Sequence, residues 1–132
     1  MKRIFVNGTF DIVHAGHIKL LNYAKSLGNY LLVAIDTDER VKSLKGNDRP
    51  INSQDERSFL LSNLKSVDEV KFFNNDEELI KILTEYKPDI IVKGDDHKHG
   101  SKLSKMYCNE VIFYERDGNS TTKKIQDIIN RR

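Results

Sequence analysis

The chain has 132 residues, enough for one hydrophobic core but too few to add a kinase domain or a second catalytic lobe. Its 22 Lys and Arg residues against 20 Asp and Glu give a net charge of +2, without the basic excess of a dedicated nucleic-acid-binding protein. No apolar run approaches the roughly 18 residues of a membrane-spanning helix, and the N-terminus lacks the apolar stretch of a secretory signal. The single cysteine, Cys108, excludes an internal disulfide. We therefore expect one domain over residues 1–132 that is cytoplasmic, with neither membrane nor nucleic acid as a partner.

Short apolar runs alternate along the chain with longer segments in which apolar residues recur every three or four positions. The runs at 30–36, 89–93 and 110–114 are nearly continuous, as in parallel strands that are covered on both faces. This alternation predicts an α/β fold, a single Rossmann-like, doubly wound domain with a mainly parallel five-stranded sheet. The predicted strands are 3–7, 30–36, 69–73, 89–93 and 110–114, and the predicted helices are 15–27, 53–66, 76–86 and 120–130.

Local signals mark where the helices begin and end. Ser53 followed by Glu56 has the spacing of a capping box, and Gly28 stands where a left-handed residue would end the first helix. Two polar stretches, 42–52 and 94–105, are predicted to be irregular. Because α/β proteins bind ligands beyond the carboxyl ends of their strands, we expect these two stretches to border the functional site.

The segment VNGTFDIVHAGH joins the first predicted strand to the first predicted helix. It places His14 and His17 three residues apart, on one face of the helix. A helix N-terminus offers unpaired N–H groups and the positive end of the helix dipole, so phosphate binds there readily, and two imidazoles add further donors. Gly8 and Gly16 allow the backbone to approach a ligand closely. The alternative is that both histidines are surface or capping residues.

A second phosphate-binding helix start is predicted near the end of the chain, in the segment DGNSTT. Ser120 is the predicted N-cap, and Thr121 and Thr122 add hydroxyl groups to the first turn. The alternative is a capping run without a ligand.

Together these segments resemble the cytidylyltransferase-like nucleotidyltransferases. The segments AIDTD, LKGNDRPIN and VKGD resemble the heptose 1-phosphate adenylyltransferases over essentially the full chain. Gly94, Asp95 and Asp96 instead resemble glycerol 3-phosphate cytidylyltransferase, which leaves the base and the acceptor open between these branches. The final segment resembles the second family signature, GxSTT, and the first signature, GxFDxxHxGH, is filled at Gly8, Phe10, Asp11, His14, Gly16 and His17.

The resemblance implies an enzyme that joins a nucleoside triphosphate to a sugar phosphate, ATP to heptose 1-phosphate, and releases pyrophosphate. The alternatives are a glycerol-3-phosphate cytidylyltransferase that makes CDP-glycerol and, from another class, a non-catalytic nucleotide-binding module. The resemblance further implies a homodimer and Mg²⁺ held mainly by substrate phosphates, without a metal site of protein ligands.

The resemblance also implies roles for individual residues. His14, His17 and Lys45 are implied to be catalytic. Taken alone, Lys45 would be interpreted first as a solvated loop charge and Arg57 as an ion-pair partner. Asp36 and Asp38 lie at the end of the second predicted strand and are predicted to accept hydrogen bonds from hydroxyl groups of the acceptor. The implied nucleotide-binding residues are Gly8, Thr9, Phe10, Asp11, Gly16, Arg57, Asp96, Ser120, Thr121 and Thr122.

Two other motifs are weak. His97 and His99 have no Cys or carboxylate partner at zinc-binding spacing, so a polar loop or a lid over the ligand is the favoured interpretation. The segment from Gly94 to Lys102 differs from a P-loop in spacing and in the order of Lys and Ser, which excludes that motif.

Overall fold

The computed structural model of the chain describes residues 1–94 and 105–114. Five strands pair in parallel in the order β3-β2-β1-β4-β5, with helices on both faces of the sheet. The predicted Rossmann-like α/β fold is confirmed, and the predicted helix 120–130 lies outside the described residues. The elements are β1 (Arg3–Gly8), α1 (Ala15–Ser26), β2 (Tyr30–Asp36), α2 (Asp38–Lys45), α3 (Gln54–Ser62), β3 (Glu69–Phe73), α4 (Asp76–Tyr86), β4 (Ile90–Gly94) and β5 (Glu110–Tyr114).

Alternate side chains of the central strand β1 enter two separate cores. Ile4 and Val6 pack in a cluster that includes Leu21 of α1 and Leu61 of α3. Phe5, between them, packs in a second cluster with α4 residues such as Leu83. Because successive strand residues face opposite sides, one apolar run covers both faces of the sheet. The two cores define the doubly wound arrangement.

The helix α2 occupies part of the stretch that was predicted to be irregular. The side chain of Thr37 caps it by accepting a hydrogen bond from the Arg40 N–H at 3.2 Å, and Asp38 and Glu39 lie in its first turn. Gly46, with φ of +102°, ends it. Only Val41 of this helix is buried, so the sequence has no apolar stripe that indicates a helix here. The prediction of an irregular segment was wrong for residues 42–45, and the helix predicted at 53–66 ends earlier, at Ser62.

Gly28 serves a purpose other than the predicted left-handed helix end. Leu27, the C-cap of α1, is right-handed, and Gly28 itself has no positive φ. A Cβ atom at Gly28 would lie 2.7 Å from the carbonyl oxygen of Lys2 and 2.8 Å from the Ile4 side chain. Glycine is therefore required by the close approach of two chain segments. In the described ranges, no helix has the length and apolar character needed to cross a membrane.

Candidate active site

The loop that joins β1 to α1 has an unusual backbone. Phe10 and Ile12 have φ values of 52° and 38°, in the left-handed region. Residues other than glycine seldom occupy this region, and a β-branched residue such as isoleucine is a clear outlier there. Each such residue costs about 1–3 kcal/mol and persists only where surrounding contacts hold it, most often at functional sites.

One of these contacts is the burial of the Phe10 ring in the core. Phe10 is 5% exposed, and its ring centroid lies 5.2 Å from that of His17. A Cβ atom at Gly8 would come within 3.0 Å of the Phe10 ring, so glycine at that position makes room for the phenylalanine. Both residues thus support the position of a histidine in this structure, and their predicted contacts with the nucleotide stay predictions.

His14 and His17 form a reciprocal capping box at the start of α1. His14 is the N-cap, and its Nδ1 atom accepts a hydrogen bond from the Gly16 N–H at 3.0 Å. The backbone N–H of His14 in turn donates to Nδ1 of His17 at 3.1 Å. The usual capping box has Ser or Thr at the first position and Glu or Gln at the fourth. Here two imidazoles fill both positions, with ring centroids 4.1 Å apart.

This capping arrangement fixes the tautomer of both neutral rings. In a neutral imidazole one nitrogen accepts and the other carries the proton. Because Nδ1 accepts in both His14 and His17, Nε2 carries the proton and is the donor of each ring. The capping alternative is therefore confirmed, since both residues cap the helix through Nδ1, while the predicted catalytic role of the two rings stays a prediction.

Asp11 connects the loop between β1 and α1, the motif loop, to the loop before α3. Its carboxylate accepts hydrogen bonds from the backbone N–H groups of Ile51 at 2.7 Å and Asn52 at 2.8 Å. Asp11 is 3% exposed, so these charge-assisted bonds compensate a carboxylate that is removed from water. Its contact with the nucleotide stays a prediction, whereas the structure gives it a clear role in joining two loops.

Arg57 holds together four segments at the carboxyl edge of the sheet. Its side chain has no exposed surface, and its NH1 atom donates to the carbonyl oxygens of Thr9 and Asp36, both at 2.8 Å. Nε donates to the Asn52 carbonyl at 3.1 Å, and NH2 pairs with the Asp38 carboxylate at 2.8 Å. The predicted ion pair is confirmed, and the predicted nucleotide contact stays a prediction.

The two predicted acceptor-binding residues lie together, as their place at the end of β2 required. The Asp36 carboxylate accepts hydrogen bonds from the Thr9 hydroxyl at 3.0 Å and from Arg40 Nε at 2.8 Å. Asp38, the first residue of α2, pairs with Arg57. Both carboxylates are thus engaged by protein donors, and their contact with an acceptor stays a prediction.

The remaining predicted residues differ in how far the structure describes them. Lys45 is exposed at the end of α2, rather than in the predicted irregular loop. Gly16 lies in the first turn of α1, where its N–H donates to His14. Asp96, Ser120, Thr121 and Thr122 lie outside the described residues, as do His97 and His99.

The acidic groups at this edge are compensated within the protein. Asp11 is paired with backbone N–H groups, Asp36 with Thr9 and Arg40, and Asp38 with Arg57. Each carboxylate thus accepts hydrogen bonds from the protein, and those of Asp36 and Asp38 are also paired with an arginine. Among the described residues, no three His, Cys, Asp or Glu side chains are arranged to hold a metal ion.

Arg40 and Arg49 were not predicted from the sequence. Arg40 bridges Asp36 and Asp76, at 2.8 and 3.0 Å, and its guanidinium lies 5.1 Å from the centroid of the Phe73 ring. Its spacing of four residues after Asp36, within a helix that begins at Asp38, was the available signal. Arg49 is a buried charge in the loop before α3.

Two ionisable side chains away from the motif are also perturbed. Burial raises the pKa of Tyr86, whose hydroxyl donates to the Ile4 carbonyl at 2.9 Å. Burial lowers the pKa of Lys93, near the end of β4.

Comparison with known sequences identifies the family of this chain. A sequence profile described as cytidylyltransferase-like matches residues 5–127, nearly the whole chain. The chain belongs to this family, which confirms the resemblance seen in its two signatures and places it among the nucleotidyltransferases.

Individual relatives show which members of the family the chain resembles. The bifunctional protein HldE of a Nitratiruptor species is 46% identical over 126 residues, which are 93% of this chain and 27% of that protein. The bifunctional protein HldE of Campylobacter concisus is 45% identical over 98% of this chain and 28% of its own length. The chain thus spans little more than a quarter of these relatives.

Solved structures show the same fold. The lipopolysaccharide core biosynthesis protein from Thermoplasma volcanium has a TM-score of 0.72 and 31% identity, covering 88% of this chain and 98% of that one. The pantothenate synthetase from Thermus thermophilus, with a TM-score of 0.61 over 87% of this chain and 56% of its own, is 14% identical and shows the fold alone.

Proposed function

We propose that the chain is an adenylyltransferase that joins ATP to heptose 1-phosphate and releases pyrophosphate. The observation that carries the proposal is the reciprocal cap of His14 and His17, which holds two Nε2 donors at the carboxyl end of β1. The similarity to the HldE proteins and to a lipopolysaccharide core biosynthesis protein supports an acceptor from carbohydrate synthesis.

In the proposed reaction, an oxygen of the acceptor phosphate attacks the α-phosphorus of ATP. A new P–O bond forms, and the bond between the α-phosphorus and the departing pyrophosphate breaks. The acceptor phosphate is already nucleophilic at neutral pH, so the chain needs no nucleophile of its own. Its task is to align the two substrates and to stabilise the charge that develops on the α-phosphate of the transferred adenylyl group and on the departing pyrophosphate.

We assign this stabilisation to the Nε2–H groups of His14 and His17, with Lys45 as a compact charge that reaches the triphosphate. The fixed tautomer supports this role because both donors are present in the neutral rings, before the substrate arrives. Asp36 and Asp38 are proposed to recognise the acceptor. The proposed nucleotide contacts of Asp96, Ser120, Thr121 and Thr122 complete the site from the remainder of the chain.

Mg²⁺ belongs to the proposal as the ion that accompanies the triphosphate. The carboxylates of Asp11 and Asp36 each accept two hydrogen bonds from protein donors, which leaves the phosphate oxygens as the better ligands. Mg²⁺ commonly keeps several waters and binds substrate phosphates in this way. When bound, it neutralises charge on the triphosphate, and EDTA is expected to abolish turnover.

We also propose that the protein is a cytoplasmic homodimer that does not bind nucleic acid. Phe59 and Leu60 on α3 are 68% and 40% exposed, which supports an association through apolar side chains. The net charge of +2 supports the absence of nucleic acid as a partner. Sedimentation at several concentrations tests the dimer, and a fixed monomer mass would contradict it.

Pyrophosphate release tests the reaction and the substrates together. The purified chain is assayed with ATP or CTP, each with heptose 1-phosphate or glycerol 3-phosphate, and the four kcat/KM values are compared. We expect the highest value for ATP with heptose 1-phosphate. A preference for CTP with glycerol 3-phosphate would replace the substrate assignment by the cytidylyltransferase alternative. Nucleotide binding without pyrophosphate release across all four pairs would favour the non-catalytic module.

A further inference from the structure

The loop between α2 and α3 contains an arginine with little exposed surface. Arg49 is 8% exposed, yet within residues 1–94 and 105–114 its guanidinium makes no hydrogen bond or ion pair. Arg57, which is fully buried, donates to four protein oxygens. An arginine with so little exposed surface is usually paired, so the lack of such partners at Arg49 requires an explanation.

The backbone of Arg49 is fixed on both sides. Its own N–H donates to the Gly46 carbonyl at 3.2 Å, and the N–H groups of Ile51 and Asn52 bind the Asp11 carboxylate. Arg49 therefore stands two residues from the point where its loop contacts the motif loop. That motif loop leads directly to His14, so the buried cation belongs to the same edge of the sheet as the histidine pair.

We propose that Arg49 is a phosphate-binding residue of the active site, whose buried charge is compensated by a phosphate group of a substrate. The planar guanidinium presents paired N–H donors that match two phosphate oxygens, which makes arginine well suited to this ligand. The neighbouring Asp11 and Asp36 already accept hydrogen bonds from other donors. The identity of the ligand as a substrate phosphate rests on the proposed nucleotidyl transfer.

A purely structural role makes the opposite prediction for stability. If the Arg49 charge balances the buried Asp11 carboxylate at a distance, its removal leaves that carboxylate uncompensated and destabilises the protein. If the charge is instead held for a ligand, an apolar side chain of similar length leaves the ligand-free protein equally stable or more stable, because an uncompensated charge is removed.

The test compares Arg49→Met and Arg49→Lys with Arg3→Gln, which removes a positive charge at the opposite end of β1. Thermal unfolding of the full chain is recorded without ligand, with tripolyphosphate as the nucleotide-like anion, and with glucose 1-phosphate as the acceptor-like anion. Arg49→Met is expected to have a ligand-free Tm at or above that of Arg3→Gln. Its affinity for at least one anion is expected to fall about ten- to hundredfold, with partial recovery in Arg49→Lys.

Loss with tripolyphosphate assigns Arg49 to the nucleotide, and loss with glucose 1-phosphate alone assigns it to the acceptor. The proposal is overturned if wild type binds neither anion, if Arg49→Met binds both as wild type does, or if its ligand-free Tm falls below that of the control. These readouts need no turnover. A chain that depends on Arg49 for anion binding but releases no pyrophosphate would therefore reject the proposed function and keep this inference.

Discussion

The contacts of Arg57 predict that this residue stabilises the site more than any exposed ion pair in its surroundings. In Arg57→Met, the carbonyl oxygens of Thr9, Asp36 and Asn52 and the Asp38 carboxylate lose their donor. Methionine is long enough to fill part of the space, so the change tests the hydrogen bonds more than the packing.

The size of the effect follows from burial. Removing one partner from a buried charge network typically costs about 3–5 kcal/mol, and the side chain of Arg57 has no exposed surface. The Asp38 side chain is 34% exposed, so water replaces part of its lost contact and the lower half of that range applies to it. For a chain of 132 residues, about 3–5 kcal/mol corresponds to a Tm decrease of roughly 10–20 °C.

Arg40→Met is the matched control for this experiment. Arg40, in the first turns of α2, is also an arginine that pairs with two carboxylates. Its side chain is 20% exposed, so we expect its replacement to cost about 1 kcal/mol. Urea and thermal unfolding of both variants give the comparison. If Arg57→Met lies within about 1 kcal/mol of wild type, or loses no more stability than the control, the role of Arg57 in joining the four segments is refuted.

Four further predictions concern the site and the sheet. The double variant His14→Asn, His17→Gln keeps residue types that form a capping box, so its Tm is expected to stay near wild type while kcat falls about 10²–10³-fold; turnover near wild type would remove both imidazoles from catalysis. Lys45→Ala is expected to lower kcat/KM without changing Tm, because Lys45 is exposed, and Lys45→Arg is expected to recover little; equal activity in all three proteins would return Lys45 to a solvated charge. Asp11→Asn leaves one backbone N–H facing an amide donor and is expected to lower the free energy of urea unfolding by about 1–3 kcal/mol. An unchanged free energy of unfolding would contradict the role of Asp11 in joining the two loops. Because burial raises the pKa of Tyr86, its neutral form favours the folded state; this stability is present below the unfolded pKa of about 10 and is lost above it, so Tyr86→Phe is expected to lose less stability than wild type between pH 9 and 11.

The strands of this protein could be predicted because burial on both faces leaves nearly continuous apolar runs. The strands β2, β3 and β5 have their predicted bounds, and β1 and β4 differ only at their ends. The helix α2 escaped prediction because it buries a single residue, Val41, and is specified by its cap and by Gly46. A cap without an apolar stripe is a weaker signal than periodicity.

The residues of the first signature could be found in the sequence, but their interactions could not. The Asp11 carboxylate binds N–H groups 40 and 41 residues away, and Arg57 reaches the Thr9 carbonyl across 48 residues. Backbone N–H and carbonyl groups occur at nearly every residue, so no side-chain pattern indicates which of them Asp11 and Arg57 will bind. The histidine cap is local, and capping was predicted as the alternative role of both residues; its reciprocal form was not predicted, because imidazole replaces both usual capping residues.

The strained loop between β1 and α1 needs some residues to hold its conformation, while His14 and His17 supply the imidazole groups. Two left-handed residues cost about 1–3 kcal/mol each, and the loop that carries them must stay in one conformation for both imidazoles to face the same ligand. The Arg57 hydrogen bond to Thr9, the buried Phe10 ring and the hydrogen bonds of the Asp11 carboxylate hold this loop at three successive residues. Substitutions of Arg57, Phe10 and Asp11 are therefore expected to act on activity through the position of His14 and His17. Their effects on kcat should scale with their effects on stability, whereas substitutions of the histidines that preserve the cap should separate the two quantities.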